Sequence, residues 1–125
     1  MYYGGNNGEH TDFRDGFFCL ARLRPDGFAG YEPETAGGKG SITTTAVKCE
    51  GKRLLVSADA ARGSLEVVAL DRDGHEFARS ERIAADVSDA AVRWRKHANL
   101  RSLEGKPVQL RFDLAGAKVY SFSWA

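Results

Sequence analysis

Short stretches in which apolar and polar residues alternate run along most of the chain. The clearest lies near the C-terminus, where every second residue from Val108 to Leu114 is apolar. An alternation with a period of two predicts a strand with one buried face. After the turn-like segment 115–117, the alternating stretch from Tyr120 to Trp124 predicts the second strand of a terminal β-hairpin.

Two turn signals divide the earlier alternating stretches. In Pro25-Asp26-Gly27, proline presets its own φ, and Gly27 is expected to take the left-handed conformation. Asp71-Arg72-Asp73-Gly74 is expected to close a hairpin to the segment around Phe77. The other segments predicted to be extended are Phe17–Arg24, a strand starting at Phe28, Ser41–Cys49, Lys52–Asp59, Ser64–Leu70 and Val92–Trp94.

About eight short strands with one apolar face each require a second sheet to cover them. The sequence therefore predicts an all-β fold, a two-sheet antiparallel β-sandwich. A jelly roll is the first topology we expect and an immunoglobulin-like Greek key the second. The only window that admits a helical turn is Arg82–Val92.

The length of 125 residues fits one domain with one core. Residues 1–16 are rich in Gly and Asn, so we interpret them as a tail or linker, and residues 17–125 as the β-sandwich domain. Cys19 and Cys49 are the only cysteines. Because free cysteine is among the most buried residue types, we favour two unpaired thiols over a disulfide.

Charge and hydropathy exclude several partners. Eighteen basic and seventeen acidic residues give a formal net charge of +1, too little to attract nucleic acid or an anionic membrane surface. No apolar run is long enough to cross a bilayer, and the first residues do not resemble a signal peptide. In a piece of a longer protein, that absence says nothing about location, so the compartment stays open.

Candidate chemistry is sparse. Asp71 and Asp73 are two residues apart, as the carboxylates of a catalytic pair or a calcium loop can be. The Asp-x-Asp-Gly sequence nevertheless favours a hairpin turn. The three histidines, His10, His75 and His97, lack the spacing of a zinc site. We expect no catalytic residues, no metal and no cofactor.

Carbohydrate binding would require exposed aromatic rings beside planar polar side chains. The aromatic candidates are Trp94 and Trp124, although both lie on the apolar side of their alternations, which favours core packing. The polar candidates are Arg93, Arg95, His97, Gln109 and Arg111.

Several segments together resemble a known family. They are Tyr2–His10, Arg14–Ala21 running on to Leu23–Gly30, Glu50–Val56 and Leu103–Phe112. They resemble the C-terminal part of bacterial proteins related to five-bladed β-propeller glycoside hydrolases, such as invertase-like and arabinanase-like enzymes. In that family, the propeller holds the catalytic carboxylates and a concanavalin-like β-sandwich follows it.

The resemblance implies a role for this chain. Tyr2–His10 would be the closing strand and loop of the last propeller blade, and the rest would be a noncatalytic accessory domain that packs against the propeller. His10 would line the propeller's sugar site, whereas the residues alone favour a solvated histidine. The alternative function is a carbohydrate-binding module that holds an oligosaccharide through its surface aromatic and polar residues.

Overall fold

The computed structural model of the chain describes residues 1–8, 15–50, 53–97 and 99–125. The strands are β1 Tyr2–Asn6, β2 Gly16–Leu20, β3 Lys39–Thr43, β4 Val47–Lys48, β5 Leu54–Asp59, β6 Ser64–Leu70, β7 Glu76–Arg79, β8 Asp86–Ala91, β9 Pro107–Ala115 and β10 Lys118–Trp124. The described residues include one short 3-10 turn, Arg101–Leu103. Within them, no helix has the length and apolar character needed to cross a membrane.

The strands form three antiparallel sheets. A five-stranded sheet has the order β3-β9-β6-β7, with β4 pairing beside β3 along β9, and a three-stranded sheet has the order β10-β5-β8. β1 and β2 form a separate hairpin. The prediction of an all-β fold is confirmed.

The two larger sheets share one core. Alternate residues of β5 (Leu54, Val56 and Ala58) face alternate residues of β9, including Leu110 and Phe112. All five are at most 2% exposed. Each large apolar side chain removed from water in this way contributes about 1.5–3 kcal/mol. We call these two packed sheets the sandwich, because their arrangement is β-sandwich-like.

One side of the sandwich is closed by backbone pairing between the sheets. Ser80 follows β7 and pairs with Trp94, which follows β8, and the Glu81 N–H donates to the Arg93 carbonyl at 2.7 Å. The buried Ser80 hydroxyl also accepts from the Val67 N–H at 2.8 Å and donates to the Glu81 carbonyl at 2.7 Å. Backbone hydrogen bonds therefore join the two sheets on this side.

The opposite side is open. Between β10 and the edge formed by β3 and β4 lies a cleft of about 420 Å³. Its apolar lining is supplied by Ile42, Val47, Phe112, Val119 and Phe122. The backbone of Tyr31 covers one end, since Tyr31 and Val119 exchange two hydrogen bonds of 2.9 and 3.0 Å.

The terminal hairpin prediction is wrong. β9 pairs with β3, β4 and β6, whereas β10 pairs with β5, so residues 115–117 connect two sheets. A hairpin would have placed both apolar stripes on the same face of one sheet. Crossing over gives each stripe an opposing sheet to pack against.

Three local predictions are also wrong. The window Arg82–Val92 holds strand β8, not a helical turn, and Val92–Trp94 forms only a bridge. No strand starts at Phe28, because residues 25–28 form a turn.

The predicted turn at Pro25-Asp26-Gly27 exists, but Asp26 takes the left-handed conformation in place of Gly27, with φ of 59°. Gly27 is required for a different reason. A Cβ at this position would lie 2.4 Å from Cγ of Arg24.

Other predictions are confirmed. β6 and β7 form the expected hairpin, and Gly74 takes the left-handed conformation with φ of 82°. Trp94 is 8% exposed and belongs to the core. Cys49 is completely buried, and Cys19 is half-buried in β2.

β1 lies in the predicted tail and pairs with β2 of the predicted domain, so the hairpin spans the proposed boundary at 16–17.

Candidate functional site

Exposed apolar side chains are concentrated at one end of the chain. Among the described residues, all nine large apolar side chains classed as exposed fall within residues 1–31, which we call the N-terminal region. They are Met1, Tyr2, Tyr3, Phe17, Phe18, Leu20, Leu23, Phe28 and Tyr31. An apolar surface of this kind is typical of an interaction site.

The β1–β2 hairpin is apolar on both faces. Tyr2 pairs opposite Leu20, and its ring stacks on Phe18 with centroids 5.4 Å apart, so these three share one face. Tyr3 and Phe17 lie on the other face, because successive side chains of a strand alternate. Phe18 is 84% exposed and even Tyr3 is 51% exposed. Neither face is covered by the described part of the chain.

Arg24 ties the N-terminal region to β8. Its guanidinium donates to the Val87 carbonyl at 2.6 Å and to the Ser88 hydroxyl at 3.1 Å. The same group lies 2.8 Å from an Asp86 carboxylate oxygen and 4.3 Å from the centre of the Tyr120 ring. These contacts hold the side chain of Arg24 in a single half-buried position.

Asp26 makes the second attachment. Its carboxylate accepts hydrogen bonds from the hydroxyls of Ser57 on β5, at 3.2 Å, and Ser121 on β10, at 2.9 Å. Ser57 is completely buried although it lies on the outer face of its sheet. Residues 24–31 therefore cross the outside of the three-stranded sheet from β8 to β10.

The tryptophans considered as sugar platforms, for which the sequence favoured core packing, are poorly placed to bind a sugar. Trp94 is buried, and Trp124 is half-buried with its ring packed against the core. Arg93 is exposed, but its neighbour Trp94 offers no surface beside it. His10 lies outside the described residues.

A charged network covers the outer face of the five-stranded sheet. Arg79 on β7 donates to the carboxylates of Glu76, Glu66 and Asp113 at 2.7 to 3.1 Å. The hydrogen bonds that Arg79 donates to Glu76 and Glu66 raise the pKa of Arg79, and the bond that Glu76 accepts lowers the pKa of Glu76 below its ordinary value. The charges at the centre of this face are thus already compensated.

Two predicted site residues belong to this network. Arg95 pairs with Glu66 and donates to the Ser80 carbonyl at 2.9 Å, and Arg111 donates to Asp113 at 2.9 Å. The predicted Gln109 donates instead to the carbonyl of Thr44. The arginines are therefore engaged with protein carboxylates.

His97 lies at the rim of the same face. Its ring stacks on Phe77 with centroids 4.9 Å apart, beside a groove of about 390 Å³ that Arg79, Arg95 and Lys96 also line. The structure thus brings His97 and Arg95 together. It places Arg111 on the same sheet face, and it turns Trp94 inward.

The Asp71 loop has the geometry of a turn. One Asp71 carboxylate oxygen accepts from the backbone N–H groups of Asp73 and His75, both at 2.9 Å. Side-chain atoms of these three residues converge within 4.8 Å. Because the oxygen of Asp71 already stabilises the hairpin, the turn explains the sequence pattern without a metal.

Comparison of this chain with protein-family models, curated proteins and solved structures finds no match.

Sequence reasoning missed the apolar hairpin as a site, although a signal was present. Phe17-Phe18-Cys19-Leu20 is a run without polar interruption, which predicts a strand with two apolar faces. The contacts of Arg24 and Asp26 had no such signal, since their partners lie 31 or more residues away in sequence.

Proposed function

We propose that this chain is a noncatalytic accessory β-sandwich domain that packs, through its N-terminal region, against a larger partner domain. The partner that the resemblance implies is the catalytic propeller of a glycoside hydrolase-like protein. The sandwich provides a stable support, and the hairpin provides the surface that the partner covers.

The observation that carries the proposal is the amount of apolar surface left uncovered in the N-terminal region. Its six exposed aromatic rings are 51 to 84% accessible. With 150–250 Å² available per ring, they present about 800 Å² to solvent. This total is the sum over both faces of the hairpin together with Phe28 and Tyr31, and it is not one contiguous patch. One side of a standard protein interface buries about 800 Å².

The attachment of this surface fits a role in orientation. Arg24 and Asp26 bind residues 24–26 to three strands of one sheet through side chains that are themselves hydrogen-bonded. Residues 24–26, which follow the end of β2 by only four residues, are therefore fixed relative to the sandwich. This attachment favours two domains that pack against each other and not two domains joined by a flexible tether.

The finer fold belongs to the same proposal. The sandwich has eight strands in two facing antiparallel sheets, and the chain passes from one sheet to the other between β9 and β10. This arrangement is compatible with a concanavalin-like jelly roll. Such a domain follows the propeller in the family that the sequence resembles.

A direct test begins with the reading frame upstream of Met1, which should encode propeller repeats. That propeller, produced separately, is titrated with this chain by calorimetry. We expect binding that the paired change Tyr2→Ser and Phe18→Ser weakens at least tenfold. His75→Ser, at an exposed position outside the N-terminal region, serves as the control. An absence of binding by the unmodified chain contradicts the proposal, and so does turnover of aryl-glycosides by the chain alone.

The alternative, a carbohydrate-binding module, is favoured by one observation, the Phe77–His97 stack beside Arg95. A stacked aromatic pair next to a planar guanidinium is a surface on which a sugar ring can pack. Calorimetric titration with an oligosaccharide panel tests it, with His97→Ala as the disrupting variant and His75→Ala as the matched control. A flat response over the whole panel removes this alternative.

A further inference from the structure

The outer edge of β10 has unpaired backbone groups. Arg53 and Ala125 exchange backbone hydrogen bonds, so by antiparallel alternation the N–H and C=O of Phe122 and Trp124 point away from β5. On that outer side, the described residues pair with β10 only at Val119, through Tyr31. An exposed edge of this kind is a template for another strand.

The other edges of the sandwich carry the features that discourage strand addition. β8 contains Asp86 and a left-handed Asp89, β3 begins at Lys39, and β7 bears two charged residues. Charged side chains and backbone irregularities are the usual protection of an edge. In contrast, residues 119–125 contain no charged side chain and no proline.

The surface beside this edge is apolar. Phe122 and Trp124 are half-buried on the core side of β10, and Phe112 lies 5.6 Å from Phe122, centroid to centroid. Ile42, Phe112 and Phe122 line the open cleft between the sheets. Trp124 packs against the same core. A strand added to β10 would therefore gain both backbone hydrogen bonds and aromatic contact.

We propose that a second copy of this chain occupies the edge, with the two β10 strands pairing antiparallel about a twofold axis at Ser123. In this register Phe122 of each copy pairs with Trp124 of the other, which satisfies four N–H and four C=O groups and forms two aromatic cross-strand pairs. Ser123 faces its own symmetry mate in a non-hydrogen-bonded pair.

Two observations favour a second copy as the occupant. Identical edges repel each other when they carry charged side chains, and residues 119–125 carry none, so self-pairing brings no like-charged side chains together. The Tyr31–Val119 bridge shows that the edge already accepts an antiparallel partner, and self-pairing continues that geometry over residues 122–124. A twofold arrangement also closes, so it ends at a dimer.

The proposed dimer contact uses residues 122–124 of β10, and it borders the surface of the proposed function only at Tyr31, which pairs with Val119. It is also smaller than a standard interface, so we expect a dissociation constant of about 0.1 mM. Sedimentation velocity from about 10 μM to 1 mM should show a monomer converting to a dimer. A monomer over the whole range overturns the inference and leaves the proposed function untouched.

Position 123 offers a specific disruption. Ser123 is exposed on the outer face, so Ser123→Lys should not affect folding, but it places two lysines opposite each other across the axis. We expect at least a tenfold loss of dimer affinity, whereas Ser102→Lys, at an exposed position in the 3-10 turn, should dimerise normally. A Ser123→Lys variant that still dimerises contradicts the proposed register.

A crosslink gives an independent readout. Residues in a non-hydrogen-bonded antiparallel pair have Cα atoms about 4.5 Å apart, within the range that a disulfide spans. Ser123→Cys should form a covalent dimer on mild oxidation, and Ser102→Cys should not. If self-association is instead abolished by Phe18→Ser and unaffected at position 123, the hairpin is the contact and the inference is wrong.

Discussion

The N-terminal region and the sandwich differ in where their apolar side chains lie. In β5, β6 and β9 every apolar residue on the inner face is buried, because a facing sheet covers it. In β1 and β2 the aromatic residues of both faces are exposed. The two regions thus use similar strands and similar residues with opposite outcomes.

The difference shows what a strand needs beyond its own sequence. A two-stranded hairpin is marginally stable at best in water, and one with two apolar faces requires a layer on each side. The sandwich supplies its own second layer and the hairpin does not. The sandwich therefore covers its own apolar inner faces, whereas the hairpin leaves both of its faces open.

The comparison is tested most strongly by truncating one apolar side chain in each region. Leu110→Ala removes a completely buried side chain from the core and should lower the free energy of unfolding by about 2–5 kcal/mol. Phe18→Ala, in the hairpin, should change it by less than about 0.5 kcal/mol. Urea unfolding of both variants measures the difference. Similar losses would show that the hairpin is packed in the isolated chain.

The hydroxyl of Ser80 satisfies a buried backbone group next to the closed side of the sandwich. Ser80→Ala leaves the buried Val67 N–H without its acceptor, so we expect a loss of about 1–3 kcal/mol in the free energy of unfolding. Ser123→Ala, at an exposed serine on β10, is the matched control and should be nearly neutral. Equal thermal unfolding of the two variants would mean that the hydroxyl of Ser80 does not stabilise the fold.

The link between the two regions depends on Arg24. Arg24→Ala removes the donor to the Val87 carbonyl and the ring contact with Tyr120, with an expected cost of about 1–2 kcal/mol. Limited proteolysis should then cut residues 20–28 faster than in the unmodified chain. Arg22→Ala, at an exposed neighbour, should alter neither property, and an effect as large as that of Arg24→Ala would contradict the anchoring role.

The smallest effect is expected from pH at the charged face. The hydrogen bond from Arg79 lowers the pKa of Glu76 below its ordinary value of 4.5, so its contribution to stability is present above that value and is lost as pH falls through the folded pKa. Glu76→Gln should therefore be less stable at pH 7, by at most about 1 kcal/mol because the pair is partly exposed, and equal at low pH. Unfolding curves across pH 2–7 measure this, and a constant difference would contradict it.

Much of the fold could be predicted because alternation reports burial directly. The apolar alternation from Val108 to Leu114 predicted β9, and Asp71-Arg72-Asp73-Gly74 predicted the turn between β6 and β7. The pairing of β10 with β5 could not be predicted, since a period of two does not say which strand lies alongside. The left-handed Asp26 was missed because its stabilising partners, Ser57 and Ser121, are distant in sequence.

The candidate site was less predictable than the fold. Arg95 and His97 do lie together, but their neighbours Phe77 and Glu66 come from other strands, and nothing local in the sequence marks that arrangement. The alternation around Trp94 favoured core packing over a sugar platform, and its burial confirms this.

Amide hydrogen exchange over the whole isolated chain tests the central claim most directly. If the sandwich is self-sufficient and the hairpin awaits a partner, amides of β6 and β9 should exchange only through global unfolding. Those of β1 and β2 should exchange through openings that cost no more than about 2 kcal/mol, and should become protected when the proposed partner domain is added. Equal protection of β2 and β9 in the chain alone would contradict the account.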